Sequence, residues 1–164
     1  MTIFGKQVSD YVGFCKVFLV LLPLVGVVRL AVSLSGTPNT SARWISMTVL
    51  TWIAIIYYSI RVHTRRFGSY RHLLVICALL NLSTQIISIA AIVLAILTDK
   101  NNIFSAPEFA FGGDGKTWLH AGSHIFIGIP VGSVVGWLFG CLILAVTKKL
   151  ARSSAQPAVP SPSV

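Results

Sequence analysis

Apolar residues along this chain do not alternate with polar ones; they gather into four long runs separated by short polar or aromatic stretches. The runs cover residues 17–34, 44–60, 73–97 and 124–146. About 20 mainly apolar residues in helical conformation cross the ~30 Å hydrocarbon core of a bilayer. A helix suits that medium because it satisfies its own backbone N–H and C=O groups. The pattern predicts an all-α integral membrane protein, a four-helix transmembrane bundle.

Between the runs the sequence supplies its own punctuation. Ahead of the first run, Ile3, Phe4, Val8, Tyr11 and Val12 mix with Lys6, Asp10 and Lys16. That mixture predicts a short N-terminal helix lying in the membrane interface. Pro23, inside the first run, predicts a kink. Gly36, Pro38 and Asn39 form a turn before the second run, which Trp44 and the pair Tyr57–Tyr58 bracket at the interfaces. The third run is long enough to tilt. Residues 1–152 are expected to form a single bundle. The Ser-, Pro- and Ala-rich stretch 153–164 is expected to be a disordered tail.

Composition sharpens this picture. Of 164 residues 55% are hydrophobic and only 10% charged, and the mean hydropathy is +0.82. Soluble domains carry about 25% charged residues, so this chain lacks the polar surface to coat a water-soluble globule. The formal net charge of +9 could point to nucleic acid. Its placement at the ends of apolar runs, with no interleaved aromatics, points to lipid head groups instead.

Arg61, Arg65, Arg66 and Arg71 lie between the second and third runs, and Lys148, Lys149 and Arg152 follow the fourth. By the positive-inside rule both termini, the 61–72 connection and the tail are expected in the cytoplasm, with residues 98–123 on the opposite side. A bacterial inner membrane is the expected location.

Three features of the runs stand above this background. Gly128, Gly132, Gly136 and Gly140 strip side chains from one stripe of the fourth run. Such a stripe admits another backbone closely, either within the bundle or from a partner subunit or second copy. Pro130 lies inside it and predicts a bend. Asn81, Thr84, Gln85 and Ser88, at i, i+3, i+4 and i+7, share one helical face. That face is expected to turn away from lipid, as interhelical glue or as a polar pocket. Arg29 lies within the first run. It is expected to snorkel outward, or to pair with Asp99, Glu108, Asp114 or a bound anion.

His120 and His124, at i and i+4, present both imidazoles on one face of the fourth helix. They read as interfacial caps or as ligands of a metal or haem, with Asp114 or Glu108 as a third ligand. His63 and His72 read as head-group contacts. Cys15, Cys77 and Cys141 form no CxxC pair and are expected to be small packing residues. The loop 98–123 holds Phe104, Phe109, Phe111 and Trp118. Its length and aromatic content predict an interfacial or partner-binding segment. Asn39-Thr40-Ser41 is a glycosylation sequon if the host is eukaryotic.

No nucleophile–base–orienter set is visible, and no acidic residue lies inside a run, so enzyme and proton-coupled transporter are disfavoured. The leading expectation is a non-enzymatic accessory or scaffold subunit of a larger membrane complex. Its proposed contacts are the glycine stripe and the aromatic loop. Two alternatives remain: a metal- or haem-binding protein using His120 and His124, and a small-solute carrier using Arg29 with the polar face of the third run.

Overall fold

A computed structural model of the chain describes residues 1–110 and 112–154. The expectation of a disordered tail falls, from residue 155 on, outside the described residues. The helices are α1 (Val8–Leu34), α2 (Asn39–Ala42), α3 (Met47–Thr64), α4 (Tyr70–Thr98), α5 (Trp118–Ser123) and α6 (Ile129–Ser154). Four helical stretches are long and apolar enough to cross a membrane: Val8–Leu34, Asn39–Thr64, Tyr70–Thr98 and Trp118–Ser153. They form a bundle in which α4 lies against both α1 and α6, and α6 also rests on α3.

Capping fixes where these helices start. Ser46 accepts a hydrogen bond from the Val49 N–H at 3.2 Å and opens α3. Thr117 does the same for His120 N–H at 3.1 Å and opens α5. Such side-chain acceptors satisfy donors that the first helical turn leaves free. The helix therefore begins at Trp118, inside the stretch expected to be loop, which leaves residues 99–117 as the connection.

The expected interfacial helix at the N-terminus is not what forms. Thr2–Ile3 pairs antiparallel with Lys6–Gln7. The turn runs through Phe4 and Gly5, both at positive φ (51° and 83°). Gly5 adopts that conformation freely, so the chain reverses before the helix can start. From Val8 onward α1 is continuous with the first apolar run. The hairpin closes over the basic end of the bundle: Tyr11 donates its hydroxyl to the Ile3 carbonyl at 3.0 Å. Phe14 stacks on Phe67 with centroids 4.0 Å apart.

Both in-run prolines are met by local repair. Pro23 has no N–H to give the Leu19 carbonyl one turn earlier. The Ser83 hydroxyl on α4 lies 3.4 Å from that carbonyl and donates to it. Ahead of Pro130 the helix widens into a π-helical turn, His124–Gly128. There the Ile129 N–H bonds to the His124 carbonyl five residues back. Widening of this kind is one way a membrane helix accommodates proline.

The outward faces are apolar. Val20, Phe126 and Leu142 are 69%, 79% and 66% exposed. Polar side chains such as Ser59, Asn81, Ser88 and Ser133 are instead buried. This is the arrangement a hydrocarbon surround favours and water opposes.

Candidate functional site

The four glycines of the stripe face α4 and α3 within the bundle. A Cβ at Gly128 would lie 3.0 Å from the Gln85 side chain, and one at Gly132 would lie 2.7 Å from that of Asn81. At Gly136 it would meet Ile55 at 2.9 Å, and at Gly140 both Leu73 and Ser59 at 2.9 Å. The space a partner helix could have used is filled from inside.

That close approach brings the polar face of α4 onto α6 and α3. Asn81 Nδ2 donates to the carbonyls of Gly128 (3.0 Å) and Ile129 (2.8 Å). The Thr84 and Thr51 hydroxyls lie 3.2 Å apart across α4 and α3. Gln85 Oε1 meets His124 Nδ1 at 2.5 Å, and the Ser88 hydroxyl donates back to the Thr84 carbonyl at 3.3 Å. The face predicted from sequence thus forms a polar layer in which Asn81, Thr84 and Gln85 reach other helices and Ser88 bonds to its own.

Above that layer the 99–117 connection folds inward. Residues 102–106 are buried. Asn102 organises them: its Nδ2 donates to the Ala91 carbonyl at 2.8 Å, and its Oδ1 accepts from Phe104 N–H at 2.9 Å and Ser105 N–H at 3.3 Å. The Ile103 N–H donates to Ser33 Oγ on α1 at 2.8 Å. A Cβ at Gly115 would sit 2.2 Å from the Ser105 carbonyl oxygen, so only glycine lets the two arms of the loop touch. Outside, Lys116 Nζ pairs with Asp99 at 2.5 Å. This pairing holds the Asp99 carboxyl below its ordinary range and raises Lys116 above its own.

Between loop and bundle lies a half-open cavity of about 140 Å³, lined by Arg29, Met47, Thr48, Thr84, Ser88, Ile103, Phe104, Phe109, His120 and His124. A second space of about 180 Å³ shares Thr48 and Thr84 with it and is lined further by Thr51, Asn81 and Gln85. Three groups sought from sequence, namely Arg29, the α4 face and the two histidines, therefore meet at one place.

Arg29 does not pair with an acid as expected. Asp99 is held by Lys116, Glu108 accepts from Asn39 Nδ2 at 2.9 Å, and Asp114 accepts from Lys116 N–H at 2.9 Å. The Arg29 guanidinium lies instead over the rings of Phe104 (5.1 Å) and Phe109 (5.5 Å). Its Nε is buried and makes no hydrogen bond. The inward fold of the loop supplies these rings in place of snorkelling.

His120 and His124 do stand side by side, with ring centroids 5.1 Å apart. His120 Nδ1 lies 2.9 Å from the Gly115 carbonyl, which can only accept, so Nδ1 carries the proton. Gln85 Oε1 asks the same of His124. In its neutral form each ring would then present Nε2 as the free nitrogen, the arrangement that a carbonyl accepting from Nδ1 gives to metal-binding histidines. The expected third ligand is missing: no three His, Cys, Asp or Glu come together among the described residues. Asp114 and Glu108 are occupied elsewhere, as given above.

His72 is not a head-group contact. It is 8% exposed and accepts the Ser69 N–H at Nδ1 (3.0 Å), capping α4. The cysteines are free, with Cys15 and Cys77 buried and Cys141 half-buried. Sequence reasoning missed Asn102, Ser105, Ser33 and Gly115. Gly112, Gly113, Asp114 and Gly115 are turn-forming residues, but nothing local says which backbone Gly115 approaches. Comparison of the chain with family models, with curated proteins and with solved structures finds no match.

Proposed function

We propose that the chain is a membrane-embedded solute-binding protein that holds a small polar molecule in the cavity beneath its 99–117 loop. Arg61, Arg65, Arg66, Arg71, Lys148 and Lys149 support a cytoplasmic side for the second connection and the tail. With four passes, the loop and cavity then belong to the extracytoplasmic side. The observation that carries the reading is Arg29. A guanidinium that lines a cavity holding no acidic side chain, with its Nε buried and unbonded, is costly unless a bound group meets its charge.

The scaffold reading draws less support. Its main contact surface, the stripe Gly128–Gly140, is taken up by Gln85, Asn81, Ile55, Leu73 and Ser59 of the same chain. A partner subunit would have to use another face. A metal at His120 and His124 would find two imidazoles and a neighbouring cation, a poor setting for a divalent ion.

Native mass spectrometry of the gently extracted protein tests the proposal. The expected result is a bound small molecule that disappears when Thr48→Phe fills the cavity rim. Recovery with further protein subunits and no small molecule, unchanged by that substitution, would favour the scaffold reading and reject this one.

A further inference from the structure

We propose that the occupant is a small organic monocarboxylate, with Arg29 receiving the carboxylate and Met47, Ile103, Phe104 and Phe109 seating a short hydrocarbon body. The proposal rests on the solute-binding reading and narrows it to one chemical class.

Charge decides the sign. Among the described residues Arg29 is the one permanent charge lining the cavity, and no acidic side chain lines it. The three acids at this end are all engaged at the outer surface, by Lys116 and Asn39. A cation would meet uncompensated repulsion there, whereas an anion gains a partner that the protein itself does not supply.

Geometry and surroundings decide the class. A guanidinium offers its N–H groups as a planar fork that matches a carboxylate bidentately. The rings of Phe104 and Phe109 lie against the guanidinium, and no protein acceptor bonds its Nε. One positive charge neutralises one negative charge. Phosphate or sulfate as a dianion would bring a second negative charge to a lining that holds one permanent cation, with only the hydroxyls of Thr48, Thr84 and Ser88 and two histidines to offset its desolvation. Met47, Ile103, Phe104 and Phe109 accommodate a hydrocarbon body. The volume of about 140 Å³ is that of about four or five waters and falls well below the ~300 Å³ at which sites for drug-sized ligands begin. That size suits a short acid.

Ser88 lines the cavity and is 8% exposed, so a thiol placed there reports on what enters. The test uses the full chain in maltoside micelles, in a Cys141→Ser background, carrying Ser88→Cys. A matching protein carries Leu119→Cys, at a position 84% exposed, as the control. Modification rates are compared for an anionic thiol reagent, sulfonatoethyl methanethiosulfonate, and a cationic one, trimethylammonioethyl methanethiosulfonate.

The anionic-to-cationic ratio for Ser88→Cys is expected to exceed that for Leu119→Cys about tenfold, the order given by a unit charge a few ångströms away in a wet cavity. Butyrate should protect the thiol at position 88, and sulfate at equal ionic strength should not. Arg29→Gln should return the ratio to the control value and abolish protection. Arg29→Lys should keep the ratio and weaken protection, because it retains charge without the fork.

A ratio equal to the control, or sulfate protecting as well as butyrate, overturns the monocarboxylate proposal and leaves the cavity reading intact. Protection by added phosphatidylglycerol and not by butyrate overturns it in favour of a lipid head group. Failure of both reagents to reach the thiol at position 88 overturns the cavity reading along with it.

Discussion

Asn81 reaches the backbone of α6 through the gap that Gly132 leaves. Its amide donates to the Gly128 and Ile129 carbonyls at 3.0 and 2.8 Å, and a Cβ at residue 132 would stand 2.7 Å from the donating nitrogen. The glycine and the amide therefore act as one unit. Gly132→Ala should destabilise the bundle by about 1–3 kcal/mol through overpacking, and Asn81→Ala by about 0.6–2 kcal/mol through lost interhelical hydrogen bonds. In the double variant the cost should fall clearly short of the sum, because the truncated side chain at position 81 has no amide to displace. Unfolding in mixed micelles measures all three; strict additivity contradicts the pairing.

Pro23 and Ser83 give a second such cycle. With proline present, Ser83→Ala leaves the Leu19 carbonyl without its donor and should cost about 0.5–1 kcal/mol. Pro23→Ala restores a backbone N–H, and Ser83→Ala should then cost nothing measurable. The same unfolding measurement in the two backgrounds checks this. Equal costs in both would show the serine to be independent of the proline.

Local repeats in the sequence carried over well. The i, i+3, i+4, i+7 spacing of Asn81, Thr84, Gln85 and Ser88 and the i, i+4 spacing of His120 and His124 are helix geometry, and the structure brings each set together. What a residue meets across the bundle was not legible. Whether Gly132 faces α4 or a partner depends on how helices distant in sequence pack. The partners of Arg29 depend on a loop whose inward path is set by Ile103 bonding Ser33, some 70 residues away. The N-terminal reversal rests on Phe4 and Gly5 both at positive φ, and Phe4 is not a residue that announces that conformation.

Asn102 is the keystone of the loop. Asn102→Ala removes the donor to Ala91 and the acceptor for two backbone N–H groups in a buried turn. A loss of about 2–3 kcal/mol is expected, together with new proteolytic cleavage within 99–117. A variant that melts normally and keeps the loop protected would show that the loop is held by other contacts.

The Asp99–Lys116 pair makes the outer closure pH-dependent. The Asp99 carboxyl is lowered, so its contribution is present above the ordinary carboxylate range and disappears as pH falls through the depressed value. The Lys116 ammonium is raised, so its contribution is present at neutral pH and is lost only in strong alkali. NMR titration of Asp99 should find it below the ordinary range, and Lys116→Met should return it there. An unshifted Asp99 in the wild-type chain would mean that the pair is not populated in solution.

Solute binding from outside requires the cavity beneath the loop to open to the extracytoplasmic side. In intact cells, the Ser88→Cys chain in the Cys141→Ser background is exposed to an impermeant thiol reagent added outside, with and without Thr48→Phe. Modification from outside, slowed strongly by Thr48→Phe, is the predicted result. Modification only after the membrane is permeabilised, or at a rate indifferent to Thr48→Phe, would contradict it.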